Sequence, residues 1–138
     1  MPTKTIIRPK NAAPPIGPYN IAVRVGDLLF CSGQIPINPH TSELVTGDIQ
    51  AQTERVMANI KAILDDQGLT FASVVKSTVF MTDLGQFAKM NEVYARSFQT
   101  DAPARSTVQV AGLPRGANIE IEVIAHFSSP GGPAPVQV

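Results

Sequence analysis

Tryptophan is absent from this sequence, cysteine occurs once and histidine twice. A single cysteine excludes an internal disulfide and makes a reducing compartment the natural setting. Cys31, between Phe30 and Ser32, reads as a small buried residue of a strand, the usual place of a free cysteine. His40 falls in a turn-rich loop and His126 near a strand end, so no Cys/His cluster has ligand spacing and no metal is expected. The same scarcity leaves a serine or cysteine triad unsupported. Ser32-Gly33-Gln34 does not match a nucleophile elbow, and Gly112 to Gly116 lacks the lysine and helix start of a phosphate loop. An excess of either charge is missing too. Lys plus Arg and Asp plus Glu are both 11 and the pI is near 6.7, so no broad phosphate-binding face is expected and nucleic acid is a poor fit as a partner. No window approaches the ~20 apolar residues of a membrane span. Met1-Pro2-Thr3-Lys4 opens no targeting segment, so a cytoplasmic setting is expected.

What the chain does have is 43% apolar residues over 138 positions, enough for one domain, read as 1–128. A Pro/Gly-rich tail, 129–138, is expected to be mobile. Thr3 to Arg8 suits a first strand, followed by a proline-rich loop to Pro18. Ile21, Val23 and Val25 alternate with Ala22 and Arg24. Gly26-Asp27 is a tight turn, and Leu28 to Ser32 completes a hairpin that Gly33 is expected to stop. Ile35 to Gly47 is a loop. From Asp48 to Gln67, apolar residues at spacings of three, four and seven predict an amphipathic helix capped by Thr46 or Asp48 and ended by Gly68. Val74 to Met81 reads as a half-buried strand. Asp83 and Gln86 form a capping-box pattern before a second helix to about Phe98. On that helix Phe87, Asn91, Tyr94 and Phe98 share a stripe. The three aromatics read as core, and the amide of Asn91 serves either a core hydrogen bond or a cleft.

The segment from Pro103 to Glu122 organises the rest. It reads as two strands around the breaker cluster Gly112 to Gly116, with Arg105 opening the first strand and Glu120 and Glu122 on one face of the second. Two helices against a mixed sheet make an α+β arrangement. The strands carry apolar residues on both faces, and self-association is the economical way to cover the second face. Arg105 and Glu120 can be a plain ion pair or an anion clamp beside a general base. With Asn91, Ser32 and Tyr19 they suit a small carboxylate ligand and acid–base chemistry.

Ile16-Gly17-Pro18-Tyr19, Ser32-Gly33-Gln34-Ile35-Pro36, Val75-Lys76-Ser77-Thr78-Val79-Phe80, Asp83-Leu84 with Phe87 and Asn91, Pro103-Ala104-Arg105-Ser106 and Ile119-Glu120-Ile121-Glu122 occur in order. Over about Lys4 to Phe127 this pattern resembles the reactive intermediate deaminase family, the RidA-type enamine/imine deaminases. The resemblance implies a chorismate-mutase-like fold, a homotrimer whose sheets pack into a central barrel, and clefts between subunits. It implies that Arg105 binds the substrate carboxylate and that Glu120 holds and activates water. Tyr19, Ser32 and Asn91 would line the cleft, and Thr107 would contact ligand through its backbone where many members carry cysteine. The implied reaction is hydrolysis of 2-iminopropanoate or 2-iminobutanoate, the tautomers of short enamines such as 2-aminoacrylate, to 2-oxo acids and ammonia, with no cofactor. Three alternatives stay open: a small-carboxylate-binding trimer without turnover, an RNA-directed translation inhibitor, and a deaminase of a larger enamine such as 2-aminomuconate.

Overall fold

The computed structural model describes residues 3–128, so the expected mobile tail lies outside the described residues. The strands are β1 (Thr5–Ile7), β2 (Ala22–Val25), β3 (Leu28–Gln34), β4 (Val74–Met81), β5 (Ala104–Gln109) and β6 (Ile119–His126); the helices are α1 (Ile49–Asp66) and α2 (Phe87–Tyr94). Gly26, at φ 58°, lets β2 and β3 close through two residues, with Val25 facing Leu28. Asp48 starts α1 by accepting the Ala51 N–H at 2.8 Å. At its other end Gly68, at φ 69°, allows the reverse bonds Leu69 N–H to Leu64 carbonyl at 2.9 Å and Gly68 N–H to Asp65 carbonyl at 3.1 Å.

The strands form one sheet in the order β1-β2-β3-β6-β4-β5, antiparallel except where β5 runs parallel to β4. A parallel neighbour needs a crossover, and α2 supplies it. This corrects the reading of Pro103 to Glu122 as two strands flanking a turn: β5 is the sheet edge, β4 lies between β5 and β6, and residues 110–118 carry the chain across. Two local expectations also change. β3 continues through Gly33 to Gln34, with its pairing to β6 broken between Cys31 and Gln34. Asp83 caps a short 3-10 turn, Leu84–Gln86, by accepting the Gly85 N–H at 2.8 Å, and Gln86 makes no side-chain cap to α2. The helix ends at Tyr94, and a further 3-10 turn, Ala95–Ser97, follows.

Period-two alternation sorts the strands into faces. Ile119, Ile121, Val123 and Ala125 of β6 and Val79 and Met81 of β4 are buried with Leu29 of β3 beneath Val56, Ile60, Ile63 and Leu64 of α1 and Met90 of α2. Cys31 lies in this core, where burial pushes its thiol up to about 12, so it is an inert packing residue. Among the described residues, no helix covers the opposite face. Phe30 at 42% and Val108 at 41% exposure stand on it beside Leu28, Ile124, Glu120 and Glu122. Such an apolar open face fits association with another chain.

Candidate active site

Two groups of candidate residues occupy opposite faces of the sheet. Glu120 belongs to the first. Its strand alternation points it to the open face, at the end of β3 where pairing with β6 breaks. There a cleft of about 440 Å³ is lined by Tyr19, Ser32, Gly33, Arg115, Glu120 and Glu122 among others. The Glu120 carboxyl lies across the Cα of Gly33, so closely that a Cβ on residue 33 would stand 2.7 Å from the Glu120 Cδ. This approach explains a glycine inside a strand. Burial raises the Glu120 pKa above the ordinary carboxylate range, and the charge of Glu122 two residues on adds to the rise.

Tyr19 and Ser32 are brought to this cleft, with different capacities. The Ser32 hydroxyl donates to the Asn20 carbonyl at 2.6 Å, while its N–H bonds the Ile21 carbonyl at 2.8 Å. Its hydrogen is therefore used to hold the loop after Gly17, and only acceptor capacity remains for a ligand. The Tyr19 oxygen accepts the Ile16 N–H at 3.2 Å, which leaves the phenolic hydrogen free to donate into the cleft.

Arg105 anchors the second group. On β5 it pairs in register with Ser77 of β4, a residue fully buried on the helix-covered face. Its guanidinium donates to the Asn91 side-chain oxygen at 2.8 Å and lies 4.7 Å from the centre of the Tyr94 ring and 5.4 Å from that of Phe87. Tyr94 is itself fixed by a 2.6 Å hydrogen bond between its hydroxyl and that of Ser77. Asn91 thus contacts the arginine rather than filling a core position, and Phe87, at 36% exposure, flanks the cation rather than being buried. Tyr94 is the buried aromatic that the stripe predicts, with a role under Arg105 that spacing alone does not reveal. Thr107, in register with Val79, lies two residues along the same face, and its Oγ1 is buried without a hydrogen-bond partner.

Arg105 and Glu120 do not meet. Phe80 of β4 pairs with Glu120 and Ser77 with Arg105, so the two side chains leave opposite faces of the sheet, two strand spacings apart, ~10 Å at 4.8 Å each. The described residues form three ion pairs, Arg24–Asp27, Lys61–Asp65 and Arg96–Glu54, and Arg105 is in none of them. Within one chain, Arg105 and Glu120 therefore form no ion pair. One chain presents the Arg105 guanidinium on one face and the Glu120 carboxyl on the other. Gly33 and Arg115 are site features that sequence reasoning missed. The strand-interior glycine was the available signal for the first, and nothing local marked the second. Among the described residues, no group of three or more His, Cys, Asp or Glu side chains is placed to hold a metal ion, and no helix is long and apolar enough to cross a membrane.

Comparison with known proteins agrees with the fold. The sequence model described as Endoribonuclease L-PSP matches residues 10–127. A RutC family protein of Pyrococcus abyssi is 51% identical, over 89% of this chain and 97% of that protein. Among solved structures, RidA from the Antarctic bacterium Psychrobacter sp. superposes with a TM-score of 0.85 at 42% identity, covering 89% of this chain and 99% of that one. TdcF of E. coli, solved with bound serine, gives 0.85 at 45% identity, covering 90% and 99%. With the six-stranded mixed sheet and two helices described above, these matches establish that the chain belongs to the RidA-type family of RutC, Rid and L-PSP proteins.

Proposed function

We propose that the protein is an enamine/imine deaminase that hydrolyses 2-iminopropanoate and 2-iminobutanoate to the 2-oxo acids and ammonia. The observation that carries this reading is the Glu120 carboxyl, seated against Gly33 with a raised pKa in an open cleft. A carboxyl poised above its usual range can take a proton from water and return it to a leaving amine near neutral pH. Substrate anchoring falls to Arg105, whose fork is oriented by Asn91 and Tyr94 and pairs with no carboxylate among the described residues. Serine bound to TdcF, an amino acid carboxylate on a relative of the same fold, is consistent with such a ligand class.

Because Arg105 and Glu120 leave opposite faces, a shared site requires two chains. The apolar open face supports a homotrimer whose sheets pack around a central barrel, with each cleft built from Arg105, Asn91 and Thr107 of one subunit and Glu120, Tyr19 and Ser32 of the next. In that cleft the substrate carboxylate sits on Arg105 and the C=N carbon faces a water held by Glu120. Glu120 removes a proton as the water oxygen bonds to the carbon of the protonated imine, whose C=N π electrons become the nitrogen lone pair. The resulting carbinolamine collapses when Glu120 returns that proton to nitrogen, the C–N bond breaks, ammonia leaves, and the hydroxyl proton passes back to the Glu120 carboxylate as the C=O bond forms. Imines hydrolyse readily, so general acid–base assistance of ~10² to 10⁴ with positioning is sufficient.

The test generates 2-iminopropanoate from alanine with an amino-acid oxidase and follows its trapping by semicarbazide. Wild-type protein should suppress semicarbazone formation, and Arg105→Ala should not. Equal rates for the two proteins, or no effect of either, would exclude the mechanism.

A further inference from the structure

The deaminase mechanism leaves Arg115 without a task, although it lines the same cleft as Glu120, Glu122 and Tyr19. Arg115 lies between β5 and β6, in the turn Pro114–Gly116, and its backbone is left-handed at φ 58°. Few residues other than glycine, asparagine and aspartate adopt that conformation, and such outliers gather at functional sites. One of its terminal guanidinium nitrogens donates to the Ser42 carbonyl at 3.0 Å, and Ser42 is itself left-handed at φ 60°. The two loops are therefore clasped, and the guanidinium is held at one end while its remaining N–H groups stay available. Arg115 takes part in none of the ion pairs among the described residues. Among the described residues it is also the only lysine, arginine or histidine lining the cleft.

We propose that Arg115 determines specificity by binding a second carboxylate at the far end of the substrate side chain, so that 2-imino dicarboxylates, of the kind formed by oxidising glutamate or aspartate, are preferred. This rests on the deaminase reading and names the substrate class for it. Charge arithmetic supports it. Arg105 satisfies one carboxylate, and Glu120 and Glu122 would repel a second unless a cation stood beside them. Size agrees as well. A three-carbon imino acid displaces about as much as three or four waters, ~100 Å³ at ~30 Å³ each, whereas the cleft of one chain holds about 440 Å³. Room remains for a neighbouring subunit's side chains and for a longer substrate.

The experiment measures deaminase kcat/KM on 2-iminoglutarate and 2-iminobutanoate generated in situ, together with binding of 2-oxoglutarate and 2-oxobutanoate by calorimetry, for wild type, Arg115→Ala and Arg115→Lys. The dicarboxylate-to-monocarboxylate ratio should fall about tenfold in Arg115→Ala, the loss of one partly exposed charge-assisted hydrogen bond, through KM rather than kcat, with partial recovery in Arg115→Lys. An unchanged ratio overturns the assignment, including the case where both substrates slow together because the loop is disturbed. If wild type turns over neither imine yet binds 2-oxoglutarate in an Arg115-dependent manner, the deaminase reading fails and the assignment of Arg115 stands. If binding also ignores Arg115, both fall.

Discussion

Adding one methyl group at Gly33 should disable Glu120 without unfolding the protein. The new Cβ would sit 2.7 Å from Cδ, 2.9 Å from Cγ and 3.1 Å from Oε1 of Glu120, where ordinary contact begins at 3.4 Å. The carboxyl must therefore retreat by about 0.7 Å, the gap between 2.7 and 3.4 Å. All three atoms belong to the end of a flexible side chain facing an open cleft, so the retreat is a rotamer change rather than a backbone shift. Gly33 has no positive φ, and replacing a strand glycine by alanine recovers roughly 0.5 to 1 kcal/mol of chain entropy. The two effects oppose each other, and Tm should stay within about 4 °C of wild type. Activity responds differently, because a ~1 Å misplacement of a reacting group costs on the order of 10²-fold. Gly33→Ala should therefore lower kcat by 10- to 10²-fold in the semicarbazide assay at nearly constant KM, since Arg105 is untouched. The double variant separates causes: with Glu120→Gln already present, Gly33→Ala should cost nothing further. A Gly33→Ala protein with wild-type kcat, or one whose loss persists unchanged in the Glu120→Gln background, would refute the argument.

Glu120→Gln should also reveal the raised pKa through stability. A carboxyl whose folded pKa lies above its unfolded value contributes stability fully present below the unfolded pKa and lost as pH rises through the folded one. Glu120→Gln should therefore raise Tm relative to wild type at pH 7 to 8 and lose that advantage near pH 4; the same gain at every pH would remove the ionisation argument. For the cation, Asn91→Ala should raise KM about tenfold, the scale of one hydrogen bond to a charged group, and Asn91→Asp should be worse than Asn91→Ala because a carboxylate 2.8 Å from Arg105 competes with the substrate. Subunit mixing tests the two-face arrangement. On the proposed reading Arg105→Ala and Glu120→Gln chains should each be inactive, yet trimers assembled from an equal random mixture should regain about a quarter of wild-type activity, since one ordered pairing in four joins an intact Arg105 to an intact Glu120. No recovery from mixed trimers would mean that the two residues do not share a site.

Much of the scaffold was legible because its signals are local. Asp48 and Gly68 bracket α1 by capping chemistry, and the alternation from Ile119 to His126 assigns each residue of β6 to a face without reference to its neighbours. Strand order was not legible. The breaker cluster between Arg105 and Glu120 suggests a turn joining adjacent strands, and nothing in the segment announces that β4 lies between them. That depends on α2 packing as a crossover, a tertiary preference rather than a turn preference. Gly33 misled for a related reason. Read locally it stops a strand, whereas in the fold it clears space for a side chain 87 positions away. Asn91 could be placed on its helix stripe, but its partner depends on the register of β5 against β4, set by contacts beyond any local pattern.

The strand-order error carries more functional weight than its size suggests. On neighbouring strands Arg105 and Glu120 would most simply form an ion pair, and each charge would hold the other in its resting state. Moving them to opposite faces leaves Arg105 without a carboxylate among the described residues and leaves Glu120 with a pKa raised by burial first and by the charge of Glu122 second. If Arg105 is the anion site and Glu120 the base, the same separation means that the two cannot act on one small molecule within an isolated chain. On the proposed reading, covering the apolar open face and completing the site are one event, so exposed Phe30 and Val108 bear on catalysis as directly as the charged residues do.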